Sequence, residues 1–339
     1  MTQRRPTSFD IAALAGVSQP TVSRALSGNP AVSDVTRKRV LAAAEQLNYK
    51  VDKNASALRR QHARTLALLF FEELPDHGEI NPFYLSLLGP MVRRCADRGY
   101  DLLISFQQLS SDWHVDYEDS RKADGIILLG YGNYLQYRPR LEKLVERGTH
   151  FVRWGSGSHG DIGATVSSDN EQGGFEATTH LLQQGRRKIA FIGTGGAAFP
   201  EVQERWRGYC RALRAAGLKP DKRLRADAAP VEGDGRAAAA RMIQTGAEFD
   251  AIFAASDVAA IGAMHALTQA GRSVPETAVV GFDDIPAASL ASPQLTTVAQ
   301  DSHRAAEALI DTLVKSVETG SAEDHILPVS LIVRESSVR

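Results

Sequence analysis

From Thr65 onward, short apolar runs alternate with amphipathic segments of helical period, and this alternation limits the possible folds more than any other feature of the chain. The run Leu66-Ala-Leu-Leu-Phe-Phe71 has the unbroken apolar character of a strand covered on both faces. A helix is predicted over 83–98, strands over 100–106 and 125–129, a helix over 139–147 and a strand over 150–154. The pattern continues with a helix over 172–184, a strand over 188–193 and helices over 202–216 and 234–245. A strand over 251–255, a helix over 258–270, a strand over 278–282, a helix over 303–319 and a strand over 326–333 complete it. Repeated βα units imply parallel sheets with helices on both faces. About 275 residues are long for one such sheet, so two doubly wound lobes are expected, with ligand-facing loops at the carboxyl ends of their strands.

A different pattern precedes this body. Ile11, Leu14 and Ala15 can form one apolar helix face, and Ala12 is small where two helices must cross closely. Gly16 suits the left-handed backbone that stops a helix. Ser18 can cap the next helix, and Pro20 fits its first turn, where a missing N–H costs nothing. Val22, Ala25 and Leu26 then face back to the first helix, leaving Gln19, Pro20, Thr21, Ser23 and Arg24 outward. Ser33 caps a third helix, predicted to run to Leu47 with Val40, Ala44 and Leu47 as its stripe. The result is a small all-α helix-turn-helix headpiece whose second helix can enter a major groove. Residues 48–64 lack a core of their own and read as a linker, in which 54–60 could form a turn or two of marginal helix.

Charge separates the same two regions. Residues 1–65 hold eleven Lys/Arg and four Asp/Glu, whereas the remainder holds 28 and 36. A basic arm on an acidic body is the footprint of a nucleic-acid binder. No window approaches about 18 unbroken apolar residues, so no transmembrane helix is expected. The N-terminus lacks the apolar region of a secretory signal, and the two distant cysteines suit a reducing compartment, so a cytoplasmic protein is expected. No nucleophile–base pair or metal-ligand spacing stands out, and no catalytic residue, metal or cofactor is assigned. Gly155-Ser-Gly-Ser-His-Gly160 spells a dinucleotide-binding fingerprint but lacks the amphipathic helix that must follow directly. The alternation Asp112-Trp-His114-Val-Asp116 reads as a solvated strand face rather than a metal site.

Several runs resemble the headpiece of the lac-repressor (LacI/GalR) family of transcription regulators. They are Asp10-Ile-Ala-Ala-Leu-Ala-Gly-Val-Ser, Thr21-Val-Ser-Arg-Ala-Leu-Ser-Gly, Val32-Ser, Thr36-Arg-Lys-Arg-Val and Leu47-Asn-Tyr49. The resemblance extends over the body through Asn81-Pro-Phe-Tyr84, Ser168-Asp-Asn-Glu-Gln-Gly-Gly174 and Arg205-Trp-Arg-Gly-Tyr209. Ser256-Asp257, Gly281-Phe-Asp-Asp284 and Thr296-Thr-Val-Ala-Gln-Asp301 carry it to the end. It implies a headpiece over 1–49, a hinge over 50–63 and an effector-binding, dimerising body over 64–339 built like a periplasmic binding protein. Three crossovers, placed near 162, 292 and 324, would then divide the body into lobe 1 (64–162 and 293–324) and lobe 2 (163–292 and 325–339). In the hinge, Leu58 matches the leucine that wedges into the minor groove, although Val51-Asp52 replaces the family's usual Pro-Asn.

For the headpiece, Gln19, Pro20 and Arg24 are the candidates for base edges, with Thr21 and Ser23 nearer the phosphates and Ser18 a further DNA-binding candidate. For the body, the resemblance makes Phe83 and Tyr84 first-lobe ring contacts, and Arg205 and Asp283 second-lobe polar anchors. Trp154, Asp257 and Gln300 are further candidates, with a core role open for Trp154 and a helix-capping role open for Asp257. The expected protein is a homodimeric repressor that binds a pseudo-palindromic operator under control of a small effector, a sugar. The alternative is the same architecture sensing a purine or a partner protein. Release by an inducer and tightening by a corepressor are both compatible with the sequence.

Overall fold

The computed structural model describes residues 6–26, 29–47, 49, 62–70, 80–106, 112–130, 133–157 and 162–338. Leu58 and the rest of the expected hinge helix lie outside the described residues, as do Val51 and Asp52. The chain divides into two units, Met1–Ala63 and Arg64–Arg339.

Among its described residues the first unit holds three helices, α1 (Ser8–Ala15), α2 (Gln19–Leu26) and α3 (Asp34–Gln46). Helix α1 opens with a capping box in which Asp10 accepts from the Thr7 backbone N–H (2.7 Å). It stops at Gly16, whose φ of 62° is costly for any residue with a Cβ. Ser33 caps α3 by accepting from the Thr36 N–H (3.3 Å). Ile11, Ala12, Ala15, Val22, Ala25, Val32, Val40, Ala43 and Ala44 form the core. Leu14 departs from the sequence reading. The buried face of α1 runs through Ile11, Ala12 and Ala15, which turns Leu14 outward at 46% exposure.

The second unit begins β1 (Thr65–Phe70), α4 (Pro82–Asp97), β2 (Asp101–Phe106), β3 (Gly125–Leu129), α5 (Tyr134–Glu146), β4 (Phe151–Trp154) and β5 (Ala164–Ser168). It continues α6 (Asn170–Gln183), β6 (Ile189–Ile192), α7 (Pro200–Ala215), β7 (Arg225–Ala226), α8 (Glu232–Gln244), β8 (Ala251–Ala254), α9 (Asp257–Gln269), β9 (Ala278–Asp283) and α10 (Pro286–Leu290). It ends β10 (Thr296–Gln300), α11 (Ser302–Thr319), β11 (His325–Leu327) and β12 (Val329–Ile332). Among the described residues these strands make two six-stranded sheets, ordered β11-β5-β4-β3-β1-β2 and β12-β10-β9-β8-β6-β7. Every pairing is parallel except β10 with β12.

The chain passes between the sheets at 169, 301 and 328, later than the expected 162, 292 and 324. The lobe limits move accordingly. The expectation failed because β5 (Ala-Thr-Val-Ser-Ser) and β10 (Thr-Thr-Val-Ala-Gln) are buried strands without an apolar run. Each crossing leaves from the carboxyl end of a strand, so all three lie beside the cleft, and Asp169 N–H donates to Leu327 C=O (2.9 Å) across two of them. Because β11 ends at the cleft, β12 must run away from it, hence its antiparallel pairing. The strand expected over 326–333 is thus two strands on two sheets.

Two other local readings change. Asn133 caps α5 by accepting from Leu135 N–H (3.1 Å), which puts Pro139 in the second turn rather than the first. The stretch 112–116 is helical and continues as a π turn over Val115–Asp119, with Trp113 buried and Asp112 paired to Lys143 and Arg147.

Candidate functional site

The carboxyl ends of the parallel strands bring two groups of side chains to the cleft. The first lobe supplies rings. Asn81 caps α4 by accepting from Phe83 N–H (2.8 Å), and Pro82 fills the first helical position, so Phe83 and Tyr84 are fixed in its first turn. The Phe83 ring lies 5.5 Å from that of Tyr84 and 5.4 Å from that of Trp154, at the end of β4. These rings belong to the first-lobe core cluster, which also takes in Ile285 of the second lobe.

The second lobe supplies polar groups. Arg205 is in the second turn of α7 and is 1% exposed. Its place depends on close approach of α6 to α7. A Cβ on Gly208 would fall 2.0 Å from Glu171 C=O, and one on Gly174 would fall 2.2 Å from Arg205 C=O. Arg205 Nε donates to Asn170 Oδ1 (2.8 Å), Nη1 donates to Ala255 C=O, and the guanidinium lies over the Phe282 ring at 3.7 Å. Asp283 faces it, with Oδ1 at 3.8 Å from Arg205 Nη1. Gln300 Nε2 donates to the same Oδ1 (2.7 Å). Among the described residues, no donor is within hydrogen-bond geometry of the buried Asp283 Oδ2 and Gln300 Oε1. Burial pushes the Asp283 carboxyl well above the usual range, against the opposing pull of Arg205. Its backbone also takes φ of 124°, a region that disfavours residues with a Cβ.

The Asp257 side chain turns away from this group, although its charge and its backbone still act on the Asp283 carboxyl. Its Oδ1 accepts from the Thr297 hydroxyl (2.5 Å) and its Oδ2 from Ile285 N–H (2.9 Å), so both oxygens are committed within its own lobe. The cap of α9 is Ser256, which accepts from Ala259 N–H (3.3 Å). Burial raises the Asp257 carboxyl, while these bonds oppose the shift. Asp169, in the crossover, caps α6 through Gln172 N–H (2.9 Å).

Residues not singled out from sequence complete the cleft. Asn170 holds Arg205, Arg153 is buried over the Tyr134 ring and donates to Ser156 C=O, and Glu201 and Glu204 precede Arg205 on the same helix. The spacing of four between Glu201 and Arg205 was the available signal, and none pointed to Glu204. A helix that presents one anchor to a cleft also presents the residue a turn earlier.

On the headpiece, Pro20 and Arg24 are exposed, and Thr21 and Ser23 half-buried. Ser18 precedes α2 and caps it: its hydroxyl accepts from Thr21 N–H (3.3 Å) and bonds the Thr21 hydroxyl (2.8 Å). Gln19 Nε2 donates to Ser8 Oγ (3.1 Å), a bond it must release to reach a base edge. The second helix thus offers a short polar face of groove-entering size.

Residues 9–52 match the family described as bacterial regulatory proteins, lacI family, and residues 178–337 match a periplasmic binding protein-like domain. The chain is 32% identical to the HTH-type transcriptional regulator CelR of Thermobifida fusca, over 98% of this chain and 99% of that protein. It is 29% identical to the HTH-type transcriptional repressor PurR of Aliivibrio salmonicida, over 96% of this chain and 97% of that protein. A solved complex of the transcriptional regulator CelR with cellobiose superposes with a TM-score of 0.73 at 31% identity, covering 98% of this chain and 100% of that one.

Proposed function

This chain belongs to the lacI family of bacterial regulatory proteins, and we propose that it is a repressor whose operator affinity is set by a neutral sugar bound between its two lobes. The observation that carries the sugar reading is the pair of unpartnered buried acceptors, Asp283 Oδ2 and Gln300 Oε1, beside the Arg205 donor group. Buried acceptors without donors are costly, so a ligand gains by donating to them. Adjacent hydroxyls can donate to Gln300 Oε1, accept from Arg205, and bond the Asp283 carboxyl in either of its proton states, because a hydroxyl both donates and accepts, whereas a fully ionised phosphate brings no donor. Phe83, Tyr84 and Trp154 supply an apolar wall for the face of the ring. That a similar regulator binds cellobiose supports the same ligand class.

A purine is the second reading. The three rings suit a flat base as well as a sugar face. Titration calorimetry separates the two. A heat of binding from neutral sugars supports the first reading, and binding by purine bases alone replaces it.

The operator face is α2, with Gln19, Pro20 and Arg24 reading base edges and Ser18, Thr21 and Ser23 near phosphates. Leu58 is the proposed minor-groove wedge. The proposed assembly is a homodimer, which pairs two headpieces with a pseudo-palindrome. It would cover the exposed Leu103, Ile104 and Phe106 of edge strand β2, Leu85 and Val92 of α4, and Leu290 of the second lobe. Effector and operator then alter each other's affinity by the same factor. No helix among the described residues is long and apolar enough to cross a membrane, and the proposed place of action is the cytoplasm, with the DNA.

A further inference from the structure

We propose that Glu201 and Glu204 are positioning residues that tie the two lobes together across Ser156 and link that closure to Arg205. The link to Arg205 rests on the effector reading of the cleft given above. Ser156 follows β4 in the first lobe and is buried. Its N–H donates to Glu201 Oε1 (2.8 Å), its hydroxyl donates to Glu204 Oε1, and its C=O accepts from Arg153 Nη2 (3.0 Å). Both glutamates stand on α7 of the second lobe, so two charged acceptors of one lobe hold one residue of the other. The backbone is shaped for this contact. Gly155 takes φ of 144°, and a Cβ there would fall 2.6 Å from Glu201 Oε1.

The second oxygen of Glu204 extends the link inward. Asn170 Nδ2 donates to Glu204 Oε2 (3.3 Å), and Asn170 Oδ1 accepts from Arg205 Nε (2.8 Å). One path of hydrogen bonds therefore runs from the first-lobe loop through Glu204 and Asn170 to the anchor that faces Asp283. Bonds to ionised acceptors are roughly twice as strong as neutral ones, and the Glu204 side chain is only 14% exposed. On the outer side Arg207 Nη2 lies 3.5 Å from Glu204 Oε1, which screens that carboxylate without breaking the path. The tie favours the closed arrangement of the lobes, sets how often the cleft opens, and slows escape of a bound effector.

A bond between the lobes that uses neither glutamate provides the reporter: Tyr134 N–H, on α5, donates to Ala198 C=O (2.9 Å). Amide hydrogen exchange at Tyr134 is measured in the full chain, in E201A/E204A and in S156A, with the β6 amides as a control for global unfolding. The tie predicts exchange at Tyr134 about tenfold faster in E201A/E204A and roughly threefold faster in S156A, with β6 unchanged. Exchange at Tyr134 within about twofold of the parent in E201A/E204A, or in S156A should the double variant not fold, overturns the proposal. A rise confined to the Ser156 amide likewise overturns it, since the glutamates would then act only locally. Cellobiose is titrated separately into the parent protein. Failure of cellobiose and other neutral sugars to bind removes the effector reading and leaves the exchange result standing. If cellobiose binds, its dissociation rate rises in E201A/E204A, and an unchanged rate overturns the link to Arg205.

Discussion

The Arg205 guanidinium lies 3.8 Å from the Asp283 carboxyl with both side chains closed off from solvent, yet among the described residues no hydrogen-bond donor reaches Asp283 Oδ2. A buried pair that served stability alone would be expected to have its remaining lone pairs satisfied. Here the pair is left incomplete on the side where the cleft lies, and Asp283 holds an unfavourable backbone angle as well. The two together are what the proposed effector site would show if it trades stability for a ligand.

That incompleteness predicts opposite effects for its two members. Removing Arg205 leaves an uncompensated buried carboxylate and loses the bonds to Asn170 and Ala255. R205M should therefore lower unfolding stability by about 3 kcal/mol or more. D283N removes the charge but keeps the shape, and should leave stability unchanged or raised while weakening sugar binding roughly 10- to 100-fold. Chemical denaturation and calorimetry on both variants check this.

The raised Asp283 carboxyl gives a pH dependence with a definite sign. The folded state holds its proton at a pH where the unfolded chain has released it. Stability from this group is therefore complete below the unfolded value of about 4 and is lost as pH rises through the folded value. The melting temperature of the parent should fall from acid toward neutral pH more steeply than that of D283N. Equal slopes would show that Asp283 does not titrate in this window.

The approach of α6 to α7 depends on backbone contact, so G208A forces the helices apart. The new methyl meets Glu171 C=O at 2.0 Å and Phe175 N at 2.6 Å. A loss of about 2–3 kcal/mol is expected, with weaker effector binding as Arg205 is displaced. Gly233 has nothing within 4 Å of its built Cβ, and G233A should be neutral or stabilise by up to about 1 kcal/mol. Thermal denaturation of the two variants compares them.

Much of this was legible in the sequence, and the misses have a common cause. The three headpiece helices follow from Gly16, Ser18 and Ser33, because caps and stops are local chemistry. The strands with apolar runs were equally plain, since hydrophobic burial writes itself into composition. The strands β5 and β10 were not, because they are buried beside the crossovers and carry threonine, serine and glutamine for hydrogen bonding. Arg205, Asp283 and Gln300 could be named from the resemblance. That Asp257 turns instead to Thr297 and Ile285 is a matter of tertiary contact, which no spacing discloses. The same holds for Glu201 and Glu204, whose partner Ser156 lies more than forty positions away.

The dimer expectation rests on edge strand β2 and helix α4. Placing a charge at Ile104, 47% exposed on that edge, should dissociate the assembly without unfolding the body. Sedimentation of I104D should show a monomer where the parent shows a dimer. A dimer in both would place the interface elsewhere.

For the DNA face, R24A should weaken a selected operator by about 1–3 kcal/mol while nonspecific binding changes little beyond one phosphate's worth of salt dependence. Equal loss on operator and random DNA would make Arg24 a phosphate contact instead.

The central claim is that one sugar and one operator compete for, or share, the same conformational equilibrium. It is tested most directly by measuring operator affinity, on DNA selected from a random pool, at zero and saturating concentrations of a sugar that binds the cleft. The expected result is a change of about tenfold or more in operator affinity, matched by an equal factor in sugar affinity when operator is present, with the half-effect in D283N shifted to a roughly 10- to 100-fold higher sugar concentration. A sugar that binds tightly in the cleft and leaves operator affinity untouched would contradict it.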